Sequence, residues 1–410
     1  MDKTKEGSKN SKSLDNQVRP SIVKEVVENL VVGQGMASHY SDIVNYDTLD
    51  AVKRKAINAF SSTLMRPERL RIRVLPAGGT AAVLDFLDYD FMLAFNVEGL
   101  GTKNLIADEM NKEISAKGEL ARRFQGGRLY SRIGQDALAM AVTDLIAVGA
   151  DPIAYADIIA SGDSSWFKDE KRVDALLEGY SYGAEKSGCA IPQGETPTLS
   201  GIVLPETLDL AGGAIGIIRP KERLIDGHKI VPGDVIYGFP SHGLCANGIS
   251  KARMIAERLP EGYFTLLPDG RTVGEAILEP TPIWVKPIND LLDSGVDIHY
   301  ISPITGHGWK KISRAPYPFR YVIDYLPEVP EVIQFLIEKG RQMGIDVSDE
   351  ENYQVWNMGI FLVLIANKEN GPIIAREAAK HGCHVHVLGH VEKGDKEVLI
   401  KPKSLSYKGA

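Results

Sequence analysis

The chain of 410 residues has only three cysteines, Cys189, Cys245 and Cys383, and their spacing matches no zinc or redox motif. So few thiols exclude a disulfide framework and favour a reducing compartment, so we predict a cytoplasmic protein. Long apolar runs are also missing. The longest, residues 359–366, is far shorter than the roughly 20 residues that span a bilayer, and the polar N-terminus does not resemble a signal peptide. No membrane partner is expected.

An excess of basic residues is absent as well. The chain contains 47 Lys and Arg against 54 Asp and Glu, which gives a formal net charge of -7. This balance argues against a general affinity for nucleic acid, so any phosphate binding must come from a local site. With 44% hydrophobic and 25% charged residues, the composition is that of a globular protein. The length favours two domains.

The domain organisation follows from shifts in composition. Residues 1–17 are polar and cannot bury enough apolar surface to order themselves, so they are predicted to be a disordered tail. Charge and turn residues cluster between 220 and 233, which places an N-terminal domain over 18–220 and a C-terminal domain over 221–410. Helices are predicted from Pro20 and over residues 47–64. The second has one apolar face, made by Leu49, Val52, Ala56, Ile57 and Phe60.

One short stretch concentrates groups that bind phosphate and metal. The apolar run 91–95 is typical of a buried strand, and Glu98, Gly99, Gly101, Thr102 and Lys103 follow within eight residues of its end. Glycines allow close approach of the backbone to a ligand, a lysine can bind a phosphate, and a carboxylate can hold a cation. The stretch does not match the Walker A pattern. On its own, an ordinary strand-to-loop turn explains it better than a binding site does.

The run 133–149 predicts a buried helix that ends at Gly149. Its only charged residues are Asp136 and Asp144, and buried carboxylates are normally paired or bound to metal. Eight residues of helix separate them by roughly 12 Å, which is too far for both to hold one ion. Three interpretations remain open. Both acids line one site, or they mark the two ends of a cleft, or Asp136 caps the helix start while Asp144 has a nearby backbone or arginine partner.

Further candidate residues follow later strands. Glu195 comes after a glycine at the end of one apolar strand, as Glu98 does. In the second half, the glycine-containing loop with Asn247 precedes a helix start, and such loops are natural anion sites. Thr305 and Gly306 belong to a second glycine turn, which also carries His307 and Lys310. The histidines near Cys383 alternate as in a strand, so a metal site is disfavoured. Cys245 is more typical of a small buried hydrophobe than of a nucleophile.

Taken in order, these motifs resemble the aminoimidazole ribonucleotide (AIR) synthetase family over roughly residues 90–395. The resemblance rests on Gly-x-Gly-Thr-Lys at 99–103, Asp-x-x-Ala-Met-x-Val-x-Asp-Leu at 136–145 and Gly-Glu-Thr at 194–196. Asn-Gly-x-Ser at 247–250 and Ile-Thr-Gly-x-Gly at 304–308 continue it. It implies a two-domain α/β architecture of the α+β type, in which the first domains of two subunits form a β-barrel across a homodimer.

The resemblance also implies an activity and its residues. The activity is an ATP-dependent cyclo-ligase that converts formylglycinamidine ribonucleotide, a small nucleotide substrate, to AIR in de novo purine synthesis. Lys103, Asp136 and Glu195 take catalytic roles, and the Mg²⁺ ligands are Glu98, Asp136 and Asp144. The nucleotide-binding residues are Glu98, Gly99, Gly101, Thr102, Lys103, Asp144, Asn247, Thr305 and Gly306.

The sequence departs from the family pattern on the substrate side. Cys245 and Ala246 stand where the family has histidine and serine, and His307 replaces a glycine. Glu98 replaces the usual aspartate, and the family's early ATP-covering segment has no match in residues 1–60. Two alternatives therefore remain: a paralogue that uses ATP to activate another small molecule, or a catalytically inactive regulatory relative.

Overall fold

The structure, a computed structural model, describes residues 39–42, 44–75, 80–116 and 128–409. The predicted tail and the helix from Pro20 lie outside these residues. No helix within them is both long and apolar enough to cross a bilayer. The described chain builds two sheets: residues 72–218 contribute six strands to the first, and residues 235–408 contribute seven to the second.

The first sheet is mostly antiparallel and open. Its spatial order is β1-β2-β3-β6-β4-β5, so β1 and β5 are the two edges. β3 pairs with β6 along its whole length, and β6 pairs in turn with β4. The strands are β1 (Ile72–Val74), β2 (Ala82–Phe86), β3 (Met92–Gly99), β4 (Asp151–Ser161), β5 (Ala190–Glu195) and β6 (Leu208–Ile218).

Helix α3 forms the core of the first domain and confirms the predicted buried helix. Helices α1 (Tyr46–Phe60), α2 (Lys103–Ala116), α3 (Arg128–Ile146) and α4 (Glu170–Ser187) belong to this half of the chain. Every residue of α3 from Asp136 onward is buried. A Cβ on Gly134 would lie 2.2 Å from the Leu176 carbonyl oxygen, and one on Gly179 would lie 1.9 Å from that of Ser131. Both glycines are thus needed for α3 and α4 to pack so closely.

The second sheet has the order β13-β12-β9-β11-β7-β10-β8. Its strand β10 is buried at every position, as the apolar run 359–366 predicts. The strands are β7 (Val235–Pro240), β8 (Ile298–Pro303), β9 (Phe319–Ile323), β10 (Ile360–Ala366), β11 (His386–Lys393), β12 (Glu397–Ile400) and β13 (Leu405–Lys408). The helices are α5 (Ile249–Ala256), α6 (Val273–Ile277), α7 (Val285–Asp293), α8 (Glu331–Gln342), α9 (Asp349–Val355) and α10 (Gly371–Ala379).

Helix α1 has the predicted amphipathic sequence but leaves its apolar face open. None of its residues is buried in the single chain. Val52, Ile57 and Phe60 are 59%, 59% and 61% exposed. The predicted helix is therefore confirmed, and its apolar face is left exposed by the described part of the chain. Three- and four-residue spacing identifies an apolar face but not what covers it.

A buried His–Asp pair at the start of β8 makes the stability of the second domain depend on pH. His299 Nδ1 lies 2.7 Å from Asp234 Oδ2, and this carboxylate also accepts the N–H of Val231 at 2.9 Å. The hydrogen bond to Asp234 raises the pKa of His299 above 6.5. A raised histidine pKa means that the charged pair contributes fully below pH 6.5 and is lost as pH rises through the folded-state value.

We therefore expect His299→Gln, which cannot be protonated, to lower the free energy of unfolding by about 2 kcal/mol at pH 6. The deficit should shrink by pH 9, where the wild-type imidazole is neutral as well. Urea unfolding at both pH values measures the difference. His384→Gln, at an exposed histidine, is the control and should show no such trend. An equal deficit at both pH values would contradict the role of the charge.

Candidate functional site

Two carboxylates of the first domain face each other where the two domains meet. Glu98 is near the end of β3, and Asp144 is in the last turn of α3, which packs on that strand. The side chains lie within hydrogen-bonding range of each other. Burial, and then the nearby charge of Glu98, raise the pKa of Asp144 to about 8. Such a pair is unfavourable as two anions and favours a bound cation.

A lysine of the second domain lies opposite this pair. Lys311 is in the 3₁₀ helix Gly308–Arg314, is only 7% exposed, and donates a hydrogen bond to Thr305 Oγ1. The charges of Asp144 and Glu98 both act on its ammonium group. Burial dominates, however, and lowers the pKa of Lys311 to about 8. Two acids from one domain and a cation from the other thus share one site.

Lys103 and Asp136 form a separate, closed pair. Lys103 Nζ lies 2.6 Å from Asp136 Oδ2, and neither side chain has any exposed surface. Lys103 also donates to the Glu279 carbonyl at 2.9 Å, while Asp136 accepts the Thr281 N–H at 2.6 Å. The predicted phosphate lysine and one predicted metal ligand therefore neutralise each other and anchor α2 and α3 to the loop 278–284 of the second domain. As arranged here, neither group is open to a ligand.

Two other predicted residues lie at the same domain junction. Thr102 Oγ1 and Ser250 Oγ are 3.4 Å apart, which links the loop after β3 to the start of α5. Asn247, just before α5, approaches Met140 of α3, with its Nδ2 3.9 Å from the sulfur. Gly101 adopts a left-handed φ of 75°, which favours glycine at that turn. Thr102 and Asn247 are thus brought to the junction on which Glu98 also borders.

The structure does not bring Glu195 to this junction within one chain. The register runs from Gly99 on β3 through Ala211 and Ile158 to Glu195 on β5. Three strand-to-strand steps separate Glu195 from the end of β3, about 14 Å. Glu195 is exposed at the sheet edge. Its predicted catalytic role has no support from contacts within the described chain.

Helix α1 packs on the glycine turn of the second domain through His307. The Tyr46 ring stacks on the imidazole at 4.1 Å, and Asp50 Oδ2 lies 3.0 Å from Nε2. Arg314 Nη2 lies 3.2 Å from Nδ1 on the other side of the ring. Burial lowers the pKa of His307, which agrees with a neutral ring that accepts from Arg314 and donates to Asp50. The segment around Thr305 and Gly306 is thereby fixed.

Cys245 and the histidines near Cys383 do not form a catalytic or metal site among the described residues. Cys245 is 1% exposed, and burial raises its pKa to about 12, so it is a poor nucleophile. His390, one of the histidines near Cys383, pairs with Asp324 and Glu392, both at 2.8 Å. The only group of three or more His, Cys, Asp or Glu residues in the described part of the chain that could together hold a metal ion is His39, Asp346 and Glu351, and it includes none of the histidines near Cys383.

Lys311 is the residue that the sequence reasoning missed. It belongs to the segment after the Thr305–Gly308 turn, in which the sequence pattern pointed to His307 and Lys310. A 3₁₀ helix has three residues per turn, so Gly308, Lys311 and Arg314 share one face, which contacts the turn. That spacing was the available signal, but only the packing of two domains distant in sequence reveals which acids it faces.

Comparisons with known proteins agree with this architecture. The sequence profile described as AIR synthase related protein, N-terminal domain, matches residues 78–218, and its C-terminal counterpart matches residues 231–401. A phosphoribosylformylglycinamidine cyclo-ligase of Methanobrevibacter smithii is 34% identical over 316 residues, 76% of this chain and 83% of that protein. One of Clostridium botulinum is 31% identical over 360 residues, 87% and 96% of the two chains.

A solved structure supports the fold. The chain described as AaThiL complexed with AMPPCP and TMP superimposes with a TM-score of 0.52 at 15% identity. The superposition covers 87% of this chain and 97% of that one. At this level of identity the similarity establishes a shared fold, while the two profile matches and the relatives above 30% identity establish the family.

Proposed function

The chain belongs to the AIR synthase related family, and we propose that it is an ATP-dependent ligase of the phosphoribosylformylglycinamidine cyclo-ligase type. The reaction converts formylglycinamidine ribonucleotide and ATP to AIR, ADP and phosphate. The formyl-amide oxygen attacks the γ-phosphate, a nitrogen of the substrate closes the ring onto the activated carbon, and phosphate leaves. Such a step requires positioning and charge neutralisation rather than a covalent nucleophile. The domain boundaries proposed are 18–220 and 221–410, and the division of the strands into one sheet from 72–218 and another from 235–408 supports them.

The observation that carries this proposal is the meeting of Glu98 and Asp144 with Lys311 at the domain junction. A site of acids, lysine and glycine turns without a nucleophile suits phosphate transfer to an oxygen of the substrate. Thr102, Asn247 and Thr305 border the same junction and supply hydroxyl and amide groups. Gly99, Gly101 and Gly306 leave space for the backbone to approach phosphates.

Glu98 and Asp144 fit a magnesium ion, which the family uses with ATP. Two carboxylates in hydrogen-bonding range supply the oxygen ligands that Mg²⁺ prefers, and a cation would relieve their repulsion. When bound, Mg²⁺ neutralises charge that develops on the ATP phosphates. Asp136 is not required for this site because Lys103 already neutralises it.

The proposed function is tested by incubating the pure protein with formylglycinamidine ribonucleotide, ATP and Mg²⁺. AIR and ADP should appear in equal amounts. ADP formation with another phosphate acceptor and none with this substrate would establish a paralogue that activates a different molecule. Nucleotide binding without turnover of any acceptor would instead support a regulatory relative.

The homodimer is proposed on the outer face of the first sheet. On this face Phe95, Val97, Ile158 and Ile215 are 43%, 73%, 40% and 37% exposed, whereas α3 covers the opposite face. Phe95 and Ile215 are direct cross-strand neighbours. An apolar sheet face of this kind is typical of a subunit interface, and two such sheets facing each other are compatible with a barrel.

Val97→Lys, at the most exposed of these positions, should convert the dimer to a monomer in sedimentation velocity because it places a charge in the apolar interface. Val387→Lys is the matched control. It substitutes a residue that is 60% exposed on the second sheet, and it should leave the dimer intact. A wild-type chain that sediments as a monomer would refute the dimer.

A further inference from the structure

We propose that Lys311 binds the terminal phosphates of the nucleotide and positions them against Glu98 and Asp144. This inference deepens the proposed function and rests on it for the identity of the nucleotide. Three features of the described residues support it: the unused hydrogen-bond donors of the ammonium group, the two acids that face it, and the engagement or exposure of the neighbouring lysines.

The ammonium group of Lys311 is buried but not fully satisfied. Its hydrogen bond within the described part of the chain goes to Thr305 Oγ1, and an ammonium group has three N–H donors. A buried charge with unused donors is costly unless another anion completes its environment. Because only 7% of the lysine is exposed, water is a poor substitute. A ligand that supplies acceptor oxygens resolves this.

Among the described residues, the acids opposite Lys311 are near enough to act on its charge but do not form a salt bridge with it. Asp144 and Glu98 both contribute to the electrostatic environment of Lys311, yet among the described residues neither forms a direct ion pair with it. A direct salt bridge would exclude a ligand. An open separation between two carboxylates and one ammonium group instead suits a cation on the acids and phosphate oxygens on the lysine.

Other lysines are less suited to this role. Lys103 is engaged by Asp136 and has no exposed surface. Lys310 precedes Lys311 and lies off the face that contacts the Thr305 turn, because residues of a 3₁₀ helix repeat every three positions. Lys53 pairs with Asp50 on α1 at 3.6 Å and is 61% exposed. Of these lysines, Lys311 is therefore the one that is buried, faces acids of the other domain and forms no ion pair among the described residues.

The first test compares Lys311→Met with Lys310→Met, both checked for folding by circular dichroism. Isothermal titration with Mg²⁺ and AMPPNP should show an affinity at least 30-fold weaker for Lys311→Met and within twofold of wild type for Lys310→Met. Adenosine, which lacks phosphates, should bind all three proteins equally. Wild-type affinity of Lys311→Met for Mg²⁺-AMPPNP would overturn the proposal.

The second test uses the wild-type protein, so it does not depend on a variant folding. Adenosine triphosphopyridoxal places an aldehyde at the phosphate end of the nucleotide. A neighbouring lysine amine condenses with it to an imine with loss of water, and added borohydride reduces the imine to a stable amine. Peptide mapping should find the label on Lys311, and excess ATP should prevent it. A label confined to Lys53, Lys103 or Lys310 would overturn the proposal.

Neither test uses formylglycinamidine ribonucleotide, so the phosphate-binding role of Lys311 and the cyclo-ligase function can be rejected independently of each other. Labelled Lys311 without AIR formation would leave this residue assigned and the cyclo-ligase function rejected. AIR formation with unlabelled Lys311 would support the cyclo-ligase function and reject the phosphate-binding role of Lys311. A wild-type protein that binds no Mg²⁺-AMPPNP would reject both.

Discussion

Asp144→Asn should lower kcat by about 1000-fold, which corresponds to about 4 kcal/mol of lost transition-state stabilisation. The substitution keeps the shape of the side chain but removes the charge that, with Glu98, is proposed to hold Mg²⁺. Steady-state rates at increasing Mg²⁺ concentrations measure it. Saturating Mg²⁺ should restore little of the rate, since an amide is a poor ligand for this ion.

The fold should tolerate this substitution. Asp144 is buried beside another acid, and its raised pKa shows that the folded protein disfavours its charged form. The amide of the variant carries no charge, so the midpoint of thermal unfolding should stay the same or rise. Asp108→Asn is the matched control: burial likewise raises the pKa of Asp108, to about 6, but its partners are Tyr130 and Trp166. Loss of activity in both variants, or in neither, would contradict the assignment.

Lys103→Met should have the largest effect on stability, a loss of about 3–5 kcal/mol in the free energy of unfolding. The lysine and Asp136 are both fully buried, so removal of one partner leaves the other as an unpaired charge in a water-free environment. Urea unfolding measures the loss. Lys103→Met combined with Asp136→Leu should recover much of it, because two apolar side chains replace the pair.

The same variant separates two roles for Lys103. If the lysine is structural, the folded fraction of Lys103→Met should bind ATP with an affinity close to that of wild type. Weakened ATP binding with an unchanged free energy of unfolding would instead support the phosphate-binding role that the Gly-x-Gly-Thr-Lys motif predicts. Lys112→Met, an exposed lysine further along α2, controls for loss of charge on that helix.

Local patterns predicted the elements well. The uniformly apolar run of α3 and the run of β10 both identified buried segments, because full burial requires apolar side chains on every face. Helix arithmetic was also informative: eight residues place Asp136 and Asp144 roughly 12 Å apart, and the two acids indeed have different partners, Lys103 and Glu98. The spacing alone does not indicate which acid, Asp136 or Asp144, is directed at the proposed ligand site.

The arrangement of the candidate site could not be predicted, because it depends on packing between segments that are distant in sequence. Glu98 and Glu195 each lie beside a glycine at the end of an apolar strand, so their local sequence patterns cannot distinguish their roles. The sheet order places β6 and β4 between their strands, and strand order is not encoded in periodicity. Lys311 was missed for the same reason, since its relation to Asp144 depends on how the two halves of the chain meet. The exposed face of α1 shows that an amphipathic pattern does not identify its partner.

The histidine in the Thr305–Gly308 turn has a consequence for how this sequence can vary. His307 adopts a left-handed φ of 69°, a conformation that costs a residue other than glycine about 1–2 kcal/mol. Its contacts with Tyr46 and Asp50 offset that cost. Substitutions at 46 and 50 should therefore be epistatic with 307: tolerated when position 307 is glycine and deleterious when it is histidine. Relatives with glycine there are expected to be free to diverge along α1, and this helix and the turn should covary as one inherited unit.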